Sequence, residues 1–275
     1  MTKKIYAVIG DPIAHSLSPA MHNAAFRALK MDAEYIAVHV LADGLESFAA
    51  EARKKLAGFN ITVPHKKGII PFLDEVNQEA ALAGSVNTVL IRENQLSGCS
   101  TDGYGLEAAL SEAFGYTLKN NAALFIGCGG AARAAAFHFA SKGLKNLYIL
   151  NRTLATAEGL CAELTTHYPG LECTAAALNN EEAVRTALKQ VPVAIQCTSL
   201  GLEPDDPPPL PPEWLPQGIA LFDTIYKPTA LLQYAQAHGI AHANGSGMLL
   251  HQGAKSFELW TGIKPPLDVM RAELP

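Results

Sequence analysis

No apolar run in this chain approaches the ~20 residues that carry a helix across a bilayer, so a helical membrane span is not expected. No long block of one charge sign interrupts it, and the net charge is -5. Nucleic acid and anionic membrane surfaces are therefore not expected as partners. Cys99, Cys128, Cys161, Cys173 and Cys197 are odd in number and include no C-x-x-C pair. Reduced thiols are expected, with no disulfide framework and no metal site. Met1-Thr2-Lys3-Lys4-Ile5 passes straight into a short strand-like stretch. The long apolar segment and small-residue cleavage site of a secretory leader are missing, so a cytoplasmic location is expected. No internal repeat is found.

What is present suits a globular chain with a substantial core: 49% of its 275 residues are apolar. That length fits one large or two modest domains. Strand and helix patterns alternate throughout. Strands are expected over 4–9, 34–40 and 58–63, helices over 19–30 and 45–56, with Ser18 as N-cap and Pro19 as first helical residue. Residues 85–92 and 95–100 read as a hairpin turning at Glu93-Asn94, followed by a helix over 104–114. Later come helices over 155–166, 180–189 and 229–238, and strands over 171–177, 192–197 and 219–224. The proline-crowded stretch 203–216 reads as loop, and 245–275 as mostly helical. This is an α/β pattern with a largely parallel sheet in its later half.

The most informative stretch is 122–153. An apolar strand (122–126) runs into Gly127-Cys128-Gly129-Gly130-Ala131-Ala132, then a helix (131–141) and a second strand (146–150) ending in Asn151-Arg152-Thr153. Gly127 and Gly129 occupy the first two places of G-x-G-x-x-G/A, and Ala132 the third. Such a turn lets backbone approach a pyrophosphate, and the helix behind it offers free N–H groups. An NAD site usually closes the second strand with Asp or Glu. Here Asn151 and Arg152 stand there, and arginine suits a 2′-phosphate, which points to NADP. The block begins near residue 103, so a second domain precedes it.

Three polar clusters occupy that earlier part. His15-Ser16-Leu17-Ser18-Pro19 is either a capped loop or a pair of hydroxyls for a polyol or carboxylate. Asn60-Ile61-Thr62-Val63-Pro64-His65-Lys66 ends a strand, with Asn60 and Thr62 alternating onto one face. A lysine there is either a solvated surface charge or, in a cleft, a general acid/base. Ser85-Val86-Asn87-Thr88 and Ser100-Thr101-Asp102-Gly103 flank the hairpin. Asp102 is either a helix cap or a partner for Lys66.

Together these residues resemble the shikimate dehydrogenase family. The shared patterns are HSLSP (15–19), NITVPHK (60–66), GSVNT (84–88), STDGYG (100–105), GCGGAARA (127–134), NRT (151–153), DTIYKPT (223–229) and GMLLHQGA (247–254). The resemblance implies an α/β fold: an N-terminal substrate domain (1–103 with 243–275), a Rossmann-type NADP-binding domain (104–242), and a cleft between them. It implies reversible reduction of 3-dehydroshikimate to shikimate by NADPH. Lys66 would be the general acid/base, paired with Asp102. Ser16 and Ser18 would bind the substrate carboxylate, with Tyr226 nearby, while Thr62, Asn87, Asp102 and Gln252 would bond ring hydroxyls. Gly127, Gly129, Gly130 and Ala131 would cradle the pyrophosphate. Asn151, Arg152 and Thr153 would surround the adenosine ribose and its phosphate. Thr198, Ile225, Gly247 and Met248 would line the nicotinamide and its ribose.

Two departures from the family pattern stand out. No second basic residue follows Thr153, where Leu154-Ala155-Thr156-Ala157 stands, so some use of NAD is conceivable; Glu158 lies too far along to act as the acidic residue of NAD users. Cys128 replaces the common alanine of the turn. The alternatives are a quinate/shikimate dehydrogenase using NAD or NADP, and a non-catalytic ligand-binding paralogue. Methylenetetrahydrofolate dehydrogenases share the nucleotide half alone. Both monomer and homodimer fit the sequence.

Overall fold

The computed structural model describes residues 3–203 and 205–275. In chain order its strands and helices begin β1 (Lys4–Gly10), α1 (Ser18–Ala28), β2 (Ala33–His39), α2 (Leu45–Lys55), β3 (Gly58–Ile61), β4 (Glu75–Val76), α3 (Gln78–Ala83), β5 (Thr88–Arg92) and β6 (Gln95–Cys99). They continue with α4 (Asp102–Phe114), β7 (Ala122–Ile126), α5 (Gly130–Ser141), β8 (Asn146–Asn151), α6 (Leu154–His167), β9 (Glu172–Ala177), α7 (Glu181–Leu188) and β10 (Val193–Gln196). The chain closes through β11 (Ala220–Asp223), α8 (Ala230–Ala237), β12 (Ala241–Ala243), α9 (Ser246–Thr261) and α10 (Leu267–Arg271). It divides into two compact units, Met1–Gly105 with Leu249–Pro275, and Leu106–Met248. These dividing points lie a few residues beyond the expected 103 and 243.

The first unit holds a mixed six-stranded sheet in the order β2-β1-β3-β5-β6-β4. β1 runs parallel to β2 and β3, and the hairpin partners β5 and β6 are antiparallel. Alternation along β1 sorts its side chains between two cores. Ala7 and Ile9 pack with Phe59, Leu45 and Ala49 on one face. Tyr6 and Val8 pack with Met21, Phe26, Leu250 and Phe257 on the other. The hairpin turns through Glu93 and Asn94, both at positive φ, which matches the right-handed twist of its strands.

The second unit holds a wholly parallel sheet in the order β12-β11-β10-β7-β8-β9. β7 lies between β8 and β10, so the chain reverses direction of winding there, the switch point of a doubly wound sheet. α5 is alanine-rich, and Ala132, Ala134, Ala135 and Ala136 are buried, small enough to bring the helix close to the strands. Leu124, Ile126, Leu150, Val184, Leu221 and Leu231 form a core of this sheet.

Three local expectations change. α1 begins at Ser18 itself and Leu17 holds the cap position without a side-chain bond; Ser18 N–H instead donates to Ser16 Oγ at 3.3 Å. α3 was not expected, although Asn77 caps it through a 3.0 Å bond from Ala80 N–H and Gly84 ends it at φ +61°. The short strands β4 and β12 were not expected either, because two or three residues carry too little period to read.

Candidate active site

In the first unit β3 ends at Ile61, and Thr62 N–H donates to Ile9 O at 2.8 Å. His65 is buried and bonds Val40 O at 2.6 Å, which ties the following turn to the end of β2. Val86 N–H donates to Lys66 O at 2.9 Å. With its backbone held on both sides, Lys66 extends its ammonium to Asp102 Oδ2 at 2.6 Å. Asp102, the first residue of α4, is 6% exposed and Lys66 21%. The lysine thus keeps access to solvent or ligand while the carboxylate is enclosed.

Asn87 holds the other carboxylate oxygen, its Nδ2 donating to Asp102 Oδ1 at 2.8 Å and to Gln252 Oε1 at 3.3 Å. Gln252 projects from α9, its Nε2 bonded to Leu249 O. Lys66, Asn87, Asp102 and Gln252 therefore form one connected polar group. Ser16 and Ser18 sit together at the start of α1. Thr62 packs against Gly10, with its Cγ2 2.6 Å from where a Cβ would stand there.

Sequence reasoning gave no role to the layer beneath. Asn60 Nδ2 donates to Asn87 O at 2.9 Å, Thr88 Oγ1 at 3.0 Å and Ser256 Oγ at 3.0 Å. Tyr35 donates to Asn60 Oδ1 at 2.7 Å. Thr101 N–H donates to Asn87 Oδ1 at 2.8 Å. Two signals were readable: a buried asparagine within a short strand must find partners, and Ser256 stands one helical turn from Gln252.

The second unit carries the glycine turn at the carboxyl end of β7. Gly127 has φ +96°, and a Cβ there would stand 2.7 Å from Thr198 Cγ2, so only glycine fits. Gly129 caps α5 without a side-chain bond, and the first turn holds no acidic residue. A Cβ at Gly129 or Gly130 would meet no atom within 4 Å. The first N–H groups of a helix have no partner within it, and their dipole favours an anion. At the end of β8, Asn151 Nδ2 bonds Thr153 O at 3.0 Å. Arg152 is exposed and free of partners among the described residues.

Thr198 and Ile225 follow β10 and β11 and are held by buried polar groups. Gln196 accepts from Thr198 N–H and donates to Leu200 O at 3.0 Å. Asp223 accepts from Ile225 N–H at 3.0 Å and from Thr229 Oγ1 at 2.7 Å. Burial pushes the Asp223 carboxyl up, and those two bonds pull against it. Asn244 Nδ2 donates to Tyr226 O at 3.2 Å, and Met248 is buried. A Cβ on Gly247 would stand 3.3 Å from that of Ala109.

A parallel sheet in this order, with an open glycine turn at its switch point, defines a dinucleotide-binding α/β protein of Rossmann type. Its companion unit joins a lysine to a carboxylate within one connected polar group. Residues 8–89 match the shikimate dehydrogenase substrate binding domain, 108–200 the shikimate / quinate 5-dehydrogenase domain, and 245–274 the shikimate 5'-dehydrogenase C-terminal domain. A relative from Symbiobacterium thermophilum named shikimate dehydrogenase (NADP(+)) is 42% identical over 98% of this chain and 92% of its own. The shikimate 5-dehydrogenase of Thermus thermophilus, solved with NADP(H) and shikimate, superposes with a TM-score of 0.85 at 37% identity, covering 98% of both chains. The quinate dehydrogenase of Corynebacterium glutamicum, solved with NAD, gives 0.86 at 25% identity over 99% of both. The chain belongs to the shikimate dehydrogenase family.

Proposed function

We propose that this protein is an NADP-dependent oxidoreductase acting on a CH–OH group, reversibly reducing 3-dehydroshikimate to shikimate for aromatic amino acid biosynthesis. The observation that carries the reading is the Lys66–Asp102 pair, held at 2.6 Å and anchored by Asn87 in the unit that matches the substrate binding domain. The N-terminus of α5 and Arg152, unpaired among the described residues, fit a dinucleotide bearing a 2′-phosphate. Gly127, Gly129, Gly130 and Ala131 would hold its pyrophosphate, and Asn151, Arg152 and Thr153 its adenosine end. Thr198, Ile225, Gly247 and Met248 would line the nicotinamide end. The cofactor, when bound, supplies or accepts a hydride.

The chain's own residues handle charge and protons. Ser16 and Ser18 bind the substrate carboxylate, Tyr226 is a further substrate-binding residue, and Thr62, Asn87 and Gln252 fix the ring hydroxyls. Negative charge grows on the ketone oxygen during reduction, and Lys66 Nζ donates a proton there. Asp102 orients the ammonium and holds an adjacent hydroxyl. In the oxidative direction Lys66 Nζ takes the proton back.

Initial rates with shikimate or quinate, each with NADP or NAD, test the reading. Turnover confined to shikimate with NADP supports it. Equal rates with quinate or NAD would assign the chain to the dual-specificity branch, which the lone Arg152 leaves as the alternative. In Arg152→Ala, KM for NADP should rise about 10- to 100-fold, the loss of one charge-assisted contact of ~1.5–3 kcal/mol, while KM for NAD stays put. Equal changes for both cofactors would remove Arg152 from the 2′-phosphate.

A further inference from the structure

The polar layer beneath Lys66 and Asp102 has one hydrogen-bond direction, and obligate groups set it. Thr101 N–H can only donate, and it meets Asn87 Oδ1. Asn87 Nδ2 is therefore the side that faces Asp102 Oδ1 and Thr101 Oγ1. The Asn87 carbonyl can only accept, and it meets Asn60 Nδ2. Asn60 must then present Oδ1 to Tyr35, and the phenol is the donor across 2.7 Å. Thr88 accepts from Asn60 Nδ2 and donates to Asn87 Oδ1 at 2.9 Å. From Tyr35 through Asn60 and Asn87 to Asp102 the direction is set by obligate donors and acceptors, whereas the Thr88 hydroxyl, 2.8 Å from Ser256 Oγ and 3.3 Å from Thr101 Oγ1, can turn either way.

We infer that Tyr35 is a positioning residue for the reaction: its hydroxyl sets the Asn60 amide, and through it the angle at which Asn87 holds Asp102 against Lys66. The inference rests on the reading of Lys66 and Asp102 as the proton-transfer pair. Tyr35 lies on β2, is 1% exposed, and stacks on the His22 ring at 4.3 Å. Its buried hydroxyl therefore meets the chain of groups that ends at Asp102. Asn60 has no freedom to compensate for its loss. Rotating its amide would set Oδ1 against the Asn87 carbonyl, two acceptors face to face, so the strain passes to Thr88 and Asn87.

Tyr35→Phe tests this, because it removes the hydroxyl and keeps the ring and its stack. Steady-state rates over a range of shikimate and NADP concentrations should show kcat down about 10-fold, as expected for a small misplacement of reacting groups. KM for both ligands should stay within about two-fold, and the melting temperature should fall by only a few degrees, about the cost of leaving Asn60 Oδ1 without its donor. Asn60→Ser, which cannot bridge the phenol and the Asn87 carbonyl, should give the same kcat-selective loss. In an Asn87→Ala background, Tyr35→Phe should cost nothing more, since the effect runs through Asn87. Unchanged kcat in Tyr35→Phe, a parallel rise in KM, or additive losses in the double variant would each overturn the inference with the functional reading intact. A wild-type protein inactive on shikimate would overturn the functional reading, and this inference with it.

Discussion

Replacing Lys66 with alanine should lower turnover by about 10²–10⁴-fold and leave KM for shikimate within a few-fold, the signature of a lost general acid/base. In the proposed mechanism the ammonium gives a proton as charge appears on the ketone oxygen. Its pairing with Asp102 at 2.6 Å keeps it there before substrate arrives. Substrate affinity should survive, because the serine pair, Asn87 and Gln252 are other side chains. Asp102 would lose its counter-charge but keep the Asn87 bond, so circular dichroism and melting of the variant must accompany the kinetics. Near-normal turnover in a folded Lys66→Ala protein would show that proton transfer lies elsewhere. A large rise in KM with kcat intact would make Lys66 a binding group instead.

Much of this arrangement was legible before any coordinates. The nucleotide unit reads cleanly because its glycine turn and flanking apolar strands are contiguous in sequence. The wholly parallel order around β7 follows from right-handed crossovers through α5 and its neighbours. Lys66 and Asp102 were also legible, each at the end of a recognisable pattern. The layer under them was not. Tyr35 and Ser256 lie far apart in the chain and in no shared motif, and they meet at Asn60 only because α9 packs on the face of the first sheet to which Tyr35 points. Ser18 shows the opposite error. Its sequence neighbour Pro19 made it look like a cap, but the helix starts one residue earlier than that reading places it. The Ser18 hydroxyl is therefore not engaged as the cap. Register at a helix end is decided by a single φ/ψ pair, which composition does not encode.

His22 offers the largest expected effect on stability, and its sign is fixed. The ring is fully buried, flanked by Tyr35, Phe257 and Trp260, with both nitrogens unpartnered among the described residues. Burial pushes it down from 6.5 to about 3. Below pH 6.5 the unfolded chain takes up a proton that the folded chain refuses. His22 thus contributes full stability above pH 6.5, and that contribution is lost as pH falls toward about 3. The slope in that window is ~1.4 kcal/mol per pH unit, on the order of 3 kcal/mol between pH 6.5 and 4.5. Urea midpoints of wild type and His22→Phe across that range isolate this group from the carboxylates, which both proteins share. The phenyl ring keeps a stack on Tyr35 and cannot titrate, so the variant's curve should be flatter by that slope. Any cost of fitting the larger ring beside Gly253 is the same at every pH and leaves the slope untouched. Parallel curves would mean that His22 accepts its proton in the folded state. The stack on Tyr35, and the pocket that α1 and α9 close around it, would then have to open in acid without unfolding the unit.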